Sequence, residues 1–162
     1  MGGKFIVTGG AGFIGSNVIA TLNERGVDDI LVVDLLGTDE KWQNLVGLKY
    51  ADYWEVDDFR FHVRQDSLGE VDAVIHLGAC SATTERNASF LADNNYRFTR
   101  ELCEWCMHHD VRFIYASSAA TYGDGSLGYS DSDDVTPTLR AKPDHPMKPV
   151  DSLYVDEPGT AG

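Results

Sequence analysis

No proline occurs before Pro137 in this 162-residue chain, and there are only three cysteines, Cys80, Cys103 and Cys106. The early absence of proline leaves the first part of the chain free to form uninterrupted helices and strands. An odd, low cysteine count excludes a disulfide scaffold and predicts a reducing compartment, the cytoplasm. No window approaches the roughly 20 apolar residues of a membrane span. Met1-Gly2-Gly3-Lys4 runs straight into a strand-like segment, without the layout of a signal peptide. Bases are scarce: 13 against 26 acids, for a net charge of -13. Such a surface repels phosphate backbones and excludes nucleic acid as a partner. What is present is ordinary for a soluble globular protein, with 43% hydrophobic and 24% charged residues. A chain of this length suits one domain that buries roughly 70% of its unfolded surface.

The prolines divide the sequence. From Asp124 to Gly162 acids outnumber bases, all five prolines occur and no apolar period is sustained. We expect an acidic loop or disordered tail over residues 124–162 and a folded domain over residues 1–123. Within that domain, strand and helix patterns alternate. Lys4-Phe5-Ile6-Val7-Thr8 suits a buried parallel strand. Phe13 to Arg25 has helical spacing through Ile14, Val18, Ile19 and Leu22, with Gly26 placed as its C-terminal cap. Ile30 to Asp34, Ala73 to Leu77 and Arg112 to Ala116 read as further strands, and Asn87 to His109 as one long helix. Residues 39–65 are ambiguous. Phe59, Phe61 and Val63 alternate like a strand, while the acids before them suit a helix start. Alternation of this kind predicts an α/β fold, a parallel sheet with helices on both faces.

The sharpest motif is Thr8-Gly9-Gly10-Ala11-Gly12-Phe13-Ile14-Gly15. It holds G-x-G-x-x-G as Gly10, Gly12 and Gly15, and G-x-x-G-x-x-G as Gly9, Gly12 and Gly15. A strand precedes it, a helix opens within it and an acid ends the next strand, the context that gives the motif meaning. Glycines allow a tight turn and let backbone amides approach a pyrophosphate. The helix N-terminus adds roughly half a positive charge facing the phosphates. Asp34, nineteen residues after Gly15, stands where a carboxylate accepts hydrogen bonds from an adenosine ribose.

These glycines, with Asp29 to Asp34 (DILVVD), His76 to Thr84 (HLGACSATT), Asp93 to Tyr96 (DNNY) and Tyr115 to Gly123 (YASSAATYG), carry a family resemblance. The chain resembles the extended short-chain dehydrogenase/reductase superfamily and, within it, the family of ADP-L-glycero-D-manno-heptose 6-epimerases. The resemblance covers about residues 3–140, the N-terminal part of a longer fold. It implies a Rossmann-like doubly wound parallel sheet, truncated before the family's substrate-binding part. It also implies a cytoplasmic sugar-nucleotide isomerase of lipopolysaccharide heptose synthesis, with ADP-heptose as substrate and a homo-oligomer, or a missing C-terminal half, as partner. By resemblance Phe13 and Ile14 contact the cofactor, Asp34 meets the adenosine ribose with Leu35 beside it at the cofactor site, and Lys41 lies near the 2′-phosphate of NADP. Leu77, Gly78, Ala79, Cys80 and Ser81 line the cofactor, Asn94 lies near the nicotinamide side, and Ser118 is the catalytic serine that hydrogen-bonds the substrate oxygen. Leu35 replaces a polar residue of the family and Val56 stands in place of a base. Both weaken the case for a 2′-phosphate, and Asp34 repels one. The family favours NADP, with NAD as the alternative.

One part of the family's chemistry is missing from the sequence. The superfamily uses Y-x-x-x-K, a tyrosine acid/base whose pKa is lowered by a lysine one helical turn on. None of the seven tyrosines has a lysine four residues later. Tyr96 with Arg100 is the nearest imitation, and arginine is no equivalent replacement. The expectation is a cofactor half-site that is catalytically incomplete as a lone chain. A non-catalytic NAD(P)-binding or interaction protein is the alternative.

Other constellations have plainer readings. Cys103-x-x-Cys106 with His108 and His109 has metal-like spacing, but these residues share a helix with no second pair, so we expect a buried helix face and no metal. Cys80 reads as a small residue beside the cofactor ring and His76 as a satisfied core histidine. Asp131, Asp133 and Asp134 read as a solvated run lacking the glycine and distal glutamate of a calcium loop.

Overall fold

The computed structural model describes residues 3–82 and 84–116. These residues form five parallel strands in the order β3-β2-β1-β4-β5, flanked by helices. The strands are β1 (Phe5–Thr8), β2 (Ile30–Asp34), β3 (Asp52–Glu55), β4 (Ala73–His76) and β5 (Arg112–Tyr115). The helices are α1 (Phe13–Glu24), α2 (Val56–Arg64), α3 (Ala88–Leu91) and α4 (Phe98–His108). A 3-10 turn covers Lys41–Leu45, and a π-helical turn, Ala92–Arg97, joins α3 to α4. The fold expected from the alternation is present, a Rossmann-like parallel sheet. The proposed boundary at residue 123 lies outside the described residues.

All five residues of β2 are buried, as expected of an inner strand covered on both faces. Its side chains alternate between two cores. Leu31 and Val33 join Ile6, Val74, Phe59, Phe98 and Leu102 under α2 and α4. Ile30 and Val32 join Val7, Ile19 and Leu45 under α1 and the 3-10 turn. The chain enters the sheet at β1 and builds outward to β3, then crosses back to β4 on the other side of β1. The carboxyl ends of β1 and β4 therefore flank a topological switch point, where open α/β sheets bind their ligands.

Two local outcomes refine the sequence reading. The ambiguous stretch holds a short strand and then α2. Phe59 and Val63, one helical turn apart, are buried, and Phe61 is 59% exposed. Their alternation is a helix pattern, with Asp57 and Asp58 in the first turn and His62 and Arg64 in the last, matching the helix dipole. The expected long helix is present as continuous helical backbone from Ala88 to His108, with the π turn widening its middle between α3 and α4. The end of α1 is as expected. Gly26 at φ +79° donates to the Asn23 carbonyl, and Val27 N–H reaches the Leu22 carbonyl, a Schellman cap.

Candidate functional site

The site begins where β1 turns into α1. Gly9 N–H donates to the Val33 carbonyl at 2.7 Å, and Gly12 N–H to the Gly9 carbonyl at 3.0 Å. Ala11, fully buried, is held from both sides. Its N–H donates to Asp34 Oδ2 at 2.8 Å, and its carbonyl accepts from Asn44 Nδ2 at 2.8 Å. The turn has no space for a side chain at Gly9 or Gly15. A Cβ at Gly15 would lie 2.2 Å from the Gly9 carbonyl oxygen, and one at Gly9 2.5 Å from that of Leu77. The latter contact shows how tightly the loops after β1 and β4 cross.

No side chain caps α1, and its first turn has no acid. The amides of Phe13, Ile14 and Gly15 lack intrahelical acceptors, as in every α-helix start. Such a cluster of backbone donors fits a phosphate group. The Phe13 and Ile14 side chains, 83% and 61% exposed, instead line an open cavity of about 400 Å³ along the outer face of α1 with Val18 and Leu22.

Asp34 ends β2 and is 8% exposed. Its Oδ1 accepts from Leu35 N–H and from Lys41 Nζ, both at 2.7 Å, and its Oδ2 accepts from Ala11 N–H. A carboxylate offers about four acceptor positions, so one remains. The Lys41 ammonium lies against this carboxylate and offsets its charge. Beside Asp34 in register is Glu55, at the end of β3. Its Oε1 accepts from the Tyr53 hydroxyl at 2.8 Å, while its buried Oε2 has no partner among the described residues. Burial, with Glu55 adjacent, raises the Tyr53 phenol above its ordinary pKa.

The loop after β4 closes the other side. Thr8 Oγ1 accepts from the N–H groups of Leu77 and Gly78, each at 3.1 Å. Asn95 pairs with the Cys80 peptide through both ends of its carboxamide. Its Oδ1 accepts from Cys80 N–H at 2.7 Å and its Nδ2 donates to the Cys80 carbonyl at 2.9 Å. Asn94 Nδ2 donates to the Gly78 carbonyl at 3.2 Å. Ala79 and Ser81 are exposed.

His76 links the loop to the π turn. Thr99 Oγ1 donates to the Asn95 carbonyl at 2.8 Å, so it accepts from His76 Nε2 at 2.9 Å. His76 Nδ1 then accepts the Thr8 hydroxyl proton at 2.7 Å. This order assigns the neutral tautomer with the proton on Nε2. Burial pushes the His76 pKa down to about 4. It is a satisfied core histidine, as the sequence suggested.

The structure thus gathers Gly9, Gly10, Gly12, Gly15, Asp34, Lys41, Leu77, Gly78, Cys80 and Asn94 around the carboxyl ends of β1, β2 and β4. Leu35 is 60% exposed on the rim. Ser118 and the acids at 131–134 lie outside the described residues. Cys106 is buried in the core under α4, and burial raises its thiol to about 12 and that of Cys103 above its ordinary value. Among the described residues, no group of three or more His, Cys, Asp or Glu could hold a metal ion. Also among them, no helix is long and apolar enough to cross a membrane. Sequence reasoning missed Thr8, Asn44, Asn95 and Thr99. For Asn95 the signal was the doubled asparagine at 94–95, while Thr8 adjoins the glycine motif directly.

The cradle fits a dinucleotide. A Cβ added at Gly9 or Gly15 would collide with backbone, the turn faces an uncapped helix start, and the Asp34 carboxylate, with three bonds made, retains one acceptor position.

Residues 5–149 match the NAD dependent epimerase/dehydratase family. The ADP-L-glycero-D-manno-heptose-6-epimerase of Nitratidesulfovibrio vulgaris strain Hildenborough is 61% identical over 140 residues, which are 86% of this chain and 43% of that protein. The chain therefore spans less than half the length of the curated relatives it matches. Among solved structures, ADP-L-glycero-D-manno-heptose-6-epimerase of Helicobacter pylori superposes with a TM-score of 0.65 at 26% identity, over 82% of this chain and 44% of that one. UDP-glucuronic acid 4-epimerase of Bacillus cereus in complex with NAD gives 0.62 at 25% identity, over 75% of this chain and 41% of that one.

Proposed function

The chain belongs to the NAD dependent epimerase/dehydratase family, and from that membership we propose that it is the dinucleotide-binding portion of an ADP-L-glycero-D-manno-heptose 6-epimerase. The observation that carries this reading is the pair of crossed loops at the switch point, with the uncapped start of α1 between them. The relative at 61% identity supports the sugar nucleotide as the substrate class. In this reading the pyrophosphate rests on the first amides of α1. Asp34 takes an adenosine ribose hydroxyl on its remaining acceptor position, and the loop of Leu77 to Ser81 lines the cofactor with Asn94 behind it. A bound dinucleotide supplies a hydride acceptor and donor for the sugar. Ser118 is assigned, by resemblance alone, to the substrate oxygen. The pathway is lipopolysaccharide heptose synthesis, and residues 1–123 are the nucleotide-binding unit.

Lys41 supports NADP as the cofactor, because it neutralises Asp34 and is itself 30% exposed, within reach of an added phosphate. NAD is the alternative. The lone chain contains no Y-x-x-x-K, so we expect no epimerisation from it. The same absence favours a second reading, a non-catalytic NAD(P)-binding or interaction protein.

Thermal unfolding with NADP, NAD or no ligand tests the proposal. A dinucleotide at about 100 times its dissociation constant adds roughly 2.7 kcal/mol of stability. The expected result is a cooperative transition raised by NADP more than by NAD. A cooperative transition that neither moves would overturn dinucleotide binding. Epimerised ADP-heptose produced by the pure chain would overturn its catalytic incompleteness.

A further inference from the structure

A buried arginine on α2 is tied to the asparagine turn. Arg60 is 7% exposed, although arginine is almost never fully buried without partners. Its guanidinium grips Asp93 with both terminal nitrogens, at 2.6 and 3.2 Å. Its Nε and one terminal nitrogen also hold Glu101, at 3.2 and 3.3 Å. The Phe98 ring lies 5.2 Å below it. Glu101 is held in turn by Arg64 at 2.9 Å. Arg60 therefore has a position fixed by α2 and α4 before Asp93 is considered.

Asp93 precedes the two asparagines in the same π turn. Those asparagines are the groups that bond the Gly78 and Cys80 peptides. The turn is anchored at two points. Arg60 holds Asp93, and the Thr8–His76–Thr99 column reaches the Asn95 carbonyl. The arginine is buried, but its partners Asp93 and Glu101 are 45% and 29% exposed, so solvent screening and the desolvation of the guanidinium leave the network little net stability. What it fixes is geometry, since a bidentate arginine holds a carboxylate in place and in plane.

We infer that Arg60, acting through Asp93, is a positioning residue for the loop after β4, setting the asparagine carboxamides at the place where they order the Gly78 and Cys80 peptides for a dinucleotide. The inference rests on the dinucleotide-binding reading for its functional consequence, but its structural link has a readout that needs no ligand. Cys80 N–H donates to Asn95, so its hydrogen exchange reports the clamp directly.

The test compares the intact chain with Asp93→Asn, Arg60→Met and, as a control, Gly26→Ala, which costs stability at the far end of α1. Amide exchange is followed by NMR, and NADP and NAD affinities by calorimetry. In Asp93→Asn and Arg60→Met, Cys80 exchange accelerates about tenfold and affinity falls about tenfold, the scale of one charge-assisted hydrogen bond. Val7 and Val32 amides change only as global stability changes. Gly26→Ala lowers stability while Cys80 protection, relative to Val32, and affinity stay as in the parent. If Arg60→Met does not fold, Asp93→Asn decides alone. Unchanged Cys80 exchange in Asp93→Asn overturns the inference, as does loss of Cys80 protection only in step with Val7 and Val32. If the parent chain binds neither dinucleotide, the functional reading fails, and Cys80 exchange still decides the positioning link.

Discussion

A methyl group at Gly15 would overlap the Gly9 carbonyl oxygen, and that oxygen belongs to backbone that cannot rotate away. Gly15→Ala is expected to cost about 1–3 kcal/mol, the range for overpacking. Urea denaturation checks this, and the variant should also lose the dinucleotide-dependent rise in melting temperature. His76 makes a prediction in pH. Its folded pKa, near 4, lies below the ordinary 6.5, so between these values the unfolded chain binds the proton first. Stability therefore falls as pH drops from about 6.5 to 4, by up to roughly 1 kcal/mol per pH unit from this residue, and gains no slope from it above that window. Urea melts at several pH values should show this slope in the parent and lack it in His76→Gln. In the proposed reading Lys41 separates the two cofactors. Lys41→Ala leaves Asp34 uncompensated, so NADP affinity should fall at least about tenfold while NAD affinity changes little. Equal losses for both, by calorimetry, would remove Lys41 from any role at a 2′-phosphate.

At the level of elements, the caps and glycines were plain from the chain. Gly26 follows the last apolar position of α1, and its positive φ and Schellman bonds are what that placement implies. A Cβ at Gly26 meets nothing within 4 Å, so Gly26→Ala isolates the backbone cost. About 1–2 kcal/mol is expected, with dinucleotide affinity unchanged. Other elements were less legible. The apolar alternation at Phe59, Phe61 and Val63 fits either period over so few residues, and only packing against α4 separates the two. The π turn left no periodic signal. It depends on contacts from far along the chain, Arg60 to Asp93 and His76 to Thr99, and no local propensity encodes them. For the same reason Arg60 passed unnoticed, as one more charge in a stretch whose period was ambiguous.

Across the whole molecule, the parallel sheet was readable because buried strands such as β2 carry an unbroken apolar run and the glycine loop marks which strand comes first. The partners of that loop were not readable, since a pairing such as Thr8 with His76 is a property of strand order. The net charge of -13 also acts at this scale. Self-repulsion weakens the compact state and salt screens it. The melting temperature should therefore rise between low and moderate sodium chloride, and a fall in a calorimetric scan would contradict this. The Thr8–His76–Thr99 column has a consequence in time. Its members are spread along the chain, with Thr8 made first and Thr99 last. During synthesis at about 5–20 residues per second, the glycine loop leaves the ribosome roughly 5–20 s before the residue that completes its support. A nascent chain thus carries the most recognisable motif of the protein long before it has anything to bind with.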